Sequence, residues 1–407
     1  MMLNEKLGIT IGEETIPAIL YIDDAVTFAE GYAQQEETLK NVDEFAKKHK
    51  LEWGPAKCKT MEIGSHKEKR SSWELGEKTI DKCENYKYLG EIINRSGKNG
   101  ENIKERTAKL RNTVRAIITC CKSDIMKRIG MKVLMKLHET ETVTAFLYNA
   151  ETWTLTKSEK KTLDQAELYA WKRMIGLPPT TPTAGIVFTV GALFASVKVE
   201  QKQLTYLHKV LTKEDNNWTK TTLLILKGYH IGWARQLDAI LEIWGLEQDW
   251  EAIQQKPFME WKRLVALAAE KRNIVKLRQE CETLCRGEAT KKKKTIFVLE
   301  NLDSPDYKRK PDSFILCHNY ILHSRALIMG RYGMLKCARN FRNGFGTDRC
   351  DKCDVVDDES HRINHCEKWQ NINRFRDSEK ITYSDILSND TEKCYAVVRV
   401  ILSVWDL

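Results

Sequence analysis

The hydrophobic rhythm of the chain changes once. Up to about residue 95, apolar positions fall in short runs broken by turn residues, as in strands with an occasional helix. From about residue 100 they recur at the spacing of amphipathic helices. Leu7 to Ile11 predicts a strand, Gly12-Glu13-Glu14 a turn, and Thr15 to Tyr21 a second strand. The stretch Ala18 to Phe28 is apolar except for Thr27 and the adjacent acids Asp23 and Asp24. Two carboxylates taken out of water together need a counter-charge, and a site that keeps them side by side generally holds a divalent cation. A strand sends neighbouring side chains to opposite faces, so only a turn lets both acids approach one ion, and the pair is expected at a hairpin tip. The other reading is an exposed Asp-Asp turn after an edge strand.

Gln34 to Lys50, with Leu39, Val42, Phe45 and Ala46 at helical spacing, predicts a helix. Leu51-Glu52-Trp53 and Thr60-Met61-Glu62-Ile63 predict short strands around Gly54-Pro55. Tyr86 to Leu89 alternates aromatic and polar residues and leads into Glu91-Ile92-Ile93, a half-buried strand pattern. From residue 100, Ile103, Leu110, Val114 and Ile117-Ile118 are expected on one helix face, with Lys104, Arg106, Lys109, Arg111 and Arg115 on the other; Lys122, Lys127, Arg128, Lys132 and Lys136 continue the charge. Leu163 to Gly176 predicts another helix, stopped by Gly176-Leu177-Pro178-Pro179. Residues 197 to 285 are strongly helical, and Trp218, Trp233, Trp244, Trp250 and Trp261 among Leu and Ile read as core rather than as base-stacking groups. Gly287 to Lys294, with Lys291 to Lys294, reads as a basic linker: a phosphate contact or a nuclear import signal.

Composition narrows the classes. A chain of 407 residues, 42% apolar with 11 Trp, is long enough for two or three folded domains. A net charge of +9 and a pI near 8.8 suit an acidic partner, with a polyanion first among candidates. Twelve Cys without an apolar leader-like segment suit a reducing compartment, where they serve as thiols or metal ligands. No run approaches the roughly 18 apolar residues of a membrane span. The expectation is a protein of the nucleus or cytoplasm, neither secreted nor in a membrane.

The most specific local pattern is Cys350-x2-Cys353-x7-His361-x4-Cys366. Three thiolates and one imidazole make a full tetrahedral set for Zn²⁺, and the loop Asp351 to Asp358 is long enough to bring the two ligand pairs together. A complete set leaves no open position, so the zinc would be structural; His365 competes with His361 for the third place.

Tyr21-Ile22-Asp23-Asp24 resembles the aromatic-x-Asp-Asp palm motif of reverse transcriptases, and the chain beyond it resembles the non-long-terminal-repeat (LINE-type) retrotransposon enzymes. In that family the Asp pair, with a third Asp from an earlier strand, holds two Mg²⁺ ions for nucleotidyl transfer. The resemblance implies further roles by position. Lys57-Cys58 stands where the family has Lys-Thr, whose lysine lies near the incoming phosphates as a candidate proton donor; a solvated lysine is the other reading. Tyr88-Leu89-Gly90 resembles the primer-grip hairpin, and the basic helix with Lys104, Arg111 and Arg115 resembles the thumb that follows template and primer. Ala145 to Trp153 resembles the Leu-Tyr-Gly-x-Glu-x-Trp signature after the thumb, with Asn149 in place of Gly; Asn tolerates a positive φ, and Glu151 and Trp153 read as packing residues. The family's terminal knuckle has a His-x4-Cys spacing, which selects His361, and a folded knuckle would press Arg349, Lys352, Arg362 and Lys368 onto nucleic acid. Leu322 to Asn340 resembles the helices leading into that knuckle, with Arg325, Arg331, Lys336, Arg339 and Arg342 as a basic face.

The expected architecture is therefore an α+β partial reverse-transcriptase palm with its Asp hairpin over residues 1–95, a helical thumb over 96–196, a helical connection domain over 197–290, basic linker helices over 291–345, and a zinc knuckle with its tail over 346–407. The expected partners are an RNA template and a DNA primer or target. In the family the fingers, the first catalytic Asp and the nucleotide-binding segment precede the hairpin, and only about twenty residues precede Asp23, so the Mg²⁺ site is expected to be incomplete and the chain not to polymerise alone. Two non-enzymatic alternatives stay open: a nucleic-acid-binding remnant, and a helical protein-interaction scaffold with a structural zinc.

Overall fold

The computed structural model describes residues 7–54, 56–64, 72–120, 129–285, 289–304, 307, 309–311, 314, 321–335, 337, 347–368 and 383–405, with backbone alone at 285, 289–294 and 383. The chain is α+β and about 60% helical, with small sheets. It divides into two compact units, each assembled from separate stretches: Met1–Glu105, Asn149–Thr156 and Lys202–Lys262 form one, and Arg106–Tyr148, Lys157–Gln201 and Arg263–Leu407 the other.

The first unit holds all nine strands described. β1 (Ile9–Ile11) and β2 (Glu14–Ile16) pair across Gly12-Glu13, then β3 (Ala18–Tyr21) and β4 (Asp24–Thr27) form a second antiparallel hairpin with Tyr21 opposite Asp24. The single strand expected over 15–21 is thus broken at Pro17, which lacks the N–H a continuous ladder needs; its carbonyl instead accepts from Phe28 N at 2.9 Å. α1 (Tyr32–His49) lays Leu39 and Val42 on the three-stranded sheet of β5 (Lys59–Thr60), β7 (Lys78–Lys82) and β6 (Ser72–Leu75), in that spatial order, and the core is Leu39, Val42, Trp73, Leu75 and Ile80. The strand expected at Leu51 to Trp53 does not form. Lys50 closes α1 in the left-handed region and Leu51 N turns back to Ala46 O, which leaves Trp53 to pack on that core from a loop. Of the strand expected at 60–63, only Thr60 is in β5.

β8 (Asn85–Tyr88) and β9 (Glu91–Asn94) form the third hairpin. α2 (Gly100–Cys120) buries Ile103, Leu110 and Val114 as the periodicity predicts, but Arg106 joins them at 3% exposed, its guanidinium 4.8 Å from the Tyr148 ring centroid. Position 106 lies three residues from Ile103 and four from Leu110, on the apolar stripe, so it is not part of the basic face.

α3 (Met131–Leu137) runs through a π-helical stretch, His138–Val143, to Phe146. Asn149 adopts φ 60°, as its replacement of Gly anticipates. α4 (Lys157–Ile175) ends at Gly176 with φ 77°, and α5 (Thr183–Thr189), α6 (Ala195–Leu211), α7 (Trp218–Gly228), α8 (Gly232–Trp244), α9 (Trp250–Gln255) and α10 (Phe258–Cys285) follow. Trp244, Trp250 and Trp261 are buried and Trp233 half-buried, whereas Trp218 is 42% exposed and its indole N–H donates to Glu14. α11 (Ala289–Leu302) takes in Lys291 to Lys294, so the expected basic linker is a helix; Gly287 lies outside the described residues. In α12 (Ile321–Arg331), Arg331 is wholly buried and donates to Ser388 O at 2.6 Å, so it leaves the expected basic face; Lys336, Arg339 and Arg342 lie outside the described residues, as do Lys122, Lys127 and Arg128. α13 (Glu359–Asn364), α14 (Tyr383–Ile386) and α15 (Thr391–Val404) complete the second unit, α15 burying Cys394, Val397, Val398, Ile401 and Val404. No helix among the described residues is long and apolar enough to cross a membrane.

Candidate functional site

The acid pair stands at the tip of the second hairpin. Asp23 is in the two-residue turn and Asp24 opens β4. Both are exposed, as are Ile19, Leu20 and Tyr21, so no burial cost compels a cation there; the premise of two buried anions does not hold. The turn is nonetheless unusual. Ile22 is 90% exposed and sits at φ 54°, a region that costs an L-residue about 1–2 kcal/mol and a β-branched one more.

Tyr86 and Tyr88 alternate onto one face of β8. Burial pushes the Tyr88 phenol up and the neighbouring Asp24 carboxylate adds to it; for Tyr86 the causes are burial, then Cys58, then Asp24. Asp24 is therefore an electrostatic neighbour of both tyrosines. The Tyr86 hydroxyl donates to Lys57 O at 2.9 Å, and the Tyr88 hydroxyl is buried without a hydrogen-bond partner among the described residues. Leu89 (φ 46°) and Gly90 (φ 81°) form the tight two-residue turn of this hairpin, whose twist requires positive φ at both positions. The next residue, Glu91, accepts from Trp153 Nε1 at 2.6 Å and from the Asn102 amide, while Trp153 O accepts from Gln203 Nε2 at 2.5 Å. Trp153, 1% exposed, thus fastens the hairpin that carries Tyr88, which is the packing role expected of it. Lys57 and its neighbours, the Asp hairpin, the Tyr-Leu-Gly hairpin and the Asn149–Trp153 stretch all belong to the first unit. Tyr86 is the member that sequence reasoning left out of the site; the i, i+2 alternation with Tyr88 is the signal that finds it.

Lys104, Arg111 and Arg115 are exposed on α2. Lys104 pairs with Glu101 at 2.6 Å, whereas Arg111 lies 5.5 Å from the Tyr169 ring centroid and makes no ion pair among the described residues.

In the second unit, Cys350, Cys353, His361 and Cys366 converge, one ligand atom from each lying within 4.8 Å of every other. The geometry comes from two short motifs. Arg349 bridges Val356, Cys350 N donates to Val355 O at 2.8 Å, and Asp354 at φ 50° turns the chain between them, presenting Cys350 and Cys353. Asp358 caps α13 by accepting from His361 N at 2.9 Å, and Cys366 N turns back to His361 O at 2.8 Å, presenting the second pair. The cap and the buried pair Asp357–Arg362, bidentate at 2.7 and 2.6 Å, escaped sequence reasoning, though Asp-x-x-His ahead of a short helix is a capping signal. Arg362 is thereby committed to Asp357 and is not the free phosphate contact expected of it; Arg349 donates to Asp354 O at 2.5 Å and stays exposed.

These four residues fit a zinc ion. A tetrahedron with bonds of about 2.3 Å has sulfur–sulfur edges of about 3.8 Å. Cys350 Sγ and Cys366 Sγ stand 3.7 Å apart. His361 Nε2 is buried with no hydrogen-bond partner among the described residues, while His365 is exposed and outside the cluster. Burial, with the thiols of Cys350 and Cys353 beside it, pushes Cys366 up to about 11. Four soft donors packed in this way favour a bound cation that stabilises thiolate. The Asp hairpin does not make an equivalent set for Mg²⁺: among the described residues no third acid, His or Cys joins Asp23 and Asp24 in a metal-binding group.

No model of a known protein family matches the chain, and no curated protein matches it in sequence.

Proposed function

We propose that the chain is a nucleic-acid-binding protein of the reverse-transcriptase type, corresponding to the part of a LINE-type retrotransposon enzyme from the palm's Asp hairpin to the terminal zinc knuckle. The observation that carries this reading is the convergence of four stretches far apart in sequence: Asp24 at a strained tip within electrostatic reach of Tyr86 and Tyr88, the Lys57 carbonyl held by the Tyr86 hydroxyl, and Trp153 anchoring the Tyr88 hairpin through Glu91. An exposed acid-bearing tip beside aromatic groups suits the end of a primer, where the hairpins position a strand and the acids face its hydroxyl. Lys104, Arg111 and Arg115 supply sequence-independent phosphate contacts. Zinc, held by Cys350, Cys353, His361 and Cys366, staples the knuckle.

Among the described residues no third acid joins this pair, and two carboxylates alone do not position two metal ions, so polymerisation is assigned to an assembly in which another chain or segment supplies that acid. This chain alone binds and does not extend. Filter binding of an RNA template annealed to a DNA primer tests the binding half. Affinity should fall steeply with salt, by a log–log slope of several units, and be unchanged by Mg²⁺. Absence of binding at low salt would refute the reading and leave the helical scaffold with a structural zinc.

A further inference from the structure

In the second unit, several exposed cations on α4 and its neighbours make no ion pair among the described residues. The exposed face of α4 reads Lys161, Gln165, Tyr169, Arg173 and Gly176, successive turns of one stripe with no acid among them; Asp164 and Glu167 are buried against Lys276 and Lys198, and the remaining acid of the helix, Glu159, lies in its first turn, about 15 Å along the axis from Tyr169. Arg111 of α2 covers one side of the Tyr169 ring at 5.5 Å, and Tyr169 is still 39% exposed. About 10 Å further along the helix, Arg325 of α12 lies across Gly176, its guanidinium 3.7 Å from where a Cβ would stand. None of Arg111, Arg173 and Arg325 makes an ion pair among the described residues, and Arg325 Nε is buried without a hydrogen-bond partner. Burial holds the Arg325 guanidinium below its ordinary range. The negative end of α4 attracts such cations but carries only about half a charge.

We propose that this face binds a single-stranded nucleic acid, with one unpaired base on the open side of the Tyr169 ring and the adjoining phosphates on Arg111, Arg173 and Arg325. The proposal rests on the nucleic-acid reading above and deepens it by specifying the strand state. A duplex keeps its bases stacked inside and offers phosphates only, whereas a ring backed by an arginine and flanked by unpaired cations suits an unstacked base. Tyr148 is 48% exposed but sits over Arg106, which is buried in the apolar stripe of α2, whereas Tyr169 is backed by an arginine that is itself exposed.

Fluorescence anisotropy with a labelled 15-nucleotide oligouridylate, and with the same length of blunt RNA duplex, tests this on the zinc-loaded full chain. Tyr169→Ala should weaken single-strand binding roughly 5- to 150-fold, the range for losing one stacked base, and leave duplex binding unchanged; Tyr169→Phe should bind like the parent. Arg325→Gln should weaken single-strand binding and lower the log–log salt slope by about 0.7. Equal single-strand affinity for Tyr169→Ala and the parent, while the parent binds, would overturn this proposal alone. Equal losses on single strand and duplex would also overturn it. A parent that binds neither ligand would overturn both this proposal and the reading it rests on.

Discussion

Replacing Cys366 by Ser asks most of the knuckle geometry. The thiol is 1% exposed, 3.7 Å from Cys350 Sγ and held in place by its backbone N–H to His361 O, so the substitution removes a ligand without moving the turn that presents it. Structural zinc sites bind with about 10–16 kcal/mol, so one of four ligands accounts for about 2.5–4 kcal/mol, or roughly two to three orders of magnitude in affinity. Serine is a weaker zinc donor than thiolate and recovers little of that. The assay is competition against a chromophoric zinc chelator, with metal content measured on the dialysed protein. The parent should hold one equivalent; Cys366→Ser should bind at least a hundredfold more weakly, and His365→Gln should match the parent, since His365 is exposed and outside the cluster. Parent protein that retains less than about a tenth of an equivalent, or Cys366→Ser that competes as well as the parent, would refute the assignment of these four residues as ligands.

Three further outcomes follow from the packing. His138, 2% exposed, is held below its ordinary pKa by burial, which outweighs the hydrogen bond and charge of Glu167; the unfolded chain therefore binds its proton first, and stability should be present above about pH 6.5 and lost as pH falls below it, so the thermal midpoint of His138→Gln should fall less between pH 7 and 5 than the parent's. Ile22→Gly relieves the positive φ at an exposed tip and should stabilise the protein by up to about 1 kcal/mol in a denaturant titration, with no change expected only if the turn relaxes in solution. Asp164→Asn leaves Lys276 without its counter-charge beside Ser196 and should cost about 3 kcal/mol, the low end for a broken buried pair because the Lys276 side chain keeps 21% of its exposure; a loss under about 0.5 kcal/mol in the same titration would show that solvent screens the pair.

What could be read from residues alone was what depends on local spacing. The Cys and His positions at 350, 353, 361 and 366 follow a loop geometry set by chain length, and all four do converge. The end of the helix at Gly176 is legible from period and stop signal, though the helix starts at Lys157 rather than Leu163, and the left-handed Asn149 is legible from its tolerance of positive φ. What could not be read depends on partners far along the chain. Arg106 and Arg331 look like surface cations, yet Arg106 is buried against the face of Tyr148 and Arg331 donates to the carbonyls of Ile386 and Ser388, a ring face in one case and main-chain acceptors in the other meeting the buried guanidinium. The Asp pair looked buried because its neighbours are apolar, but a two-stranded hairpin leaves both faces open unless another layer covers them, and here Ile19, Leu20 and Tyr21 stay exposed. The tie between Trp153 and Glu91 spans 62 residues, and no pattern in either stretch announces it.

Primer extension on an RNA template with Mg²⁺ and nucleotide triphosphates, run with binding scored in the same samples, tests the central claim most directly. The purified chain and its Asp23→Ala, Asp24→Ala variant should bind the template–primer alike and neither should extend it, since no third acid joins the two among the described residues. Extension by the parent that disappears in the variant would contradict the account and show that a complete two-metal site forms within this chain.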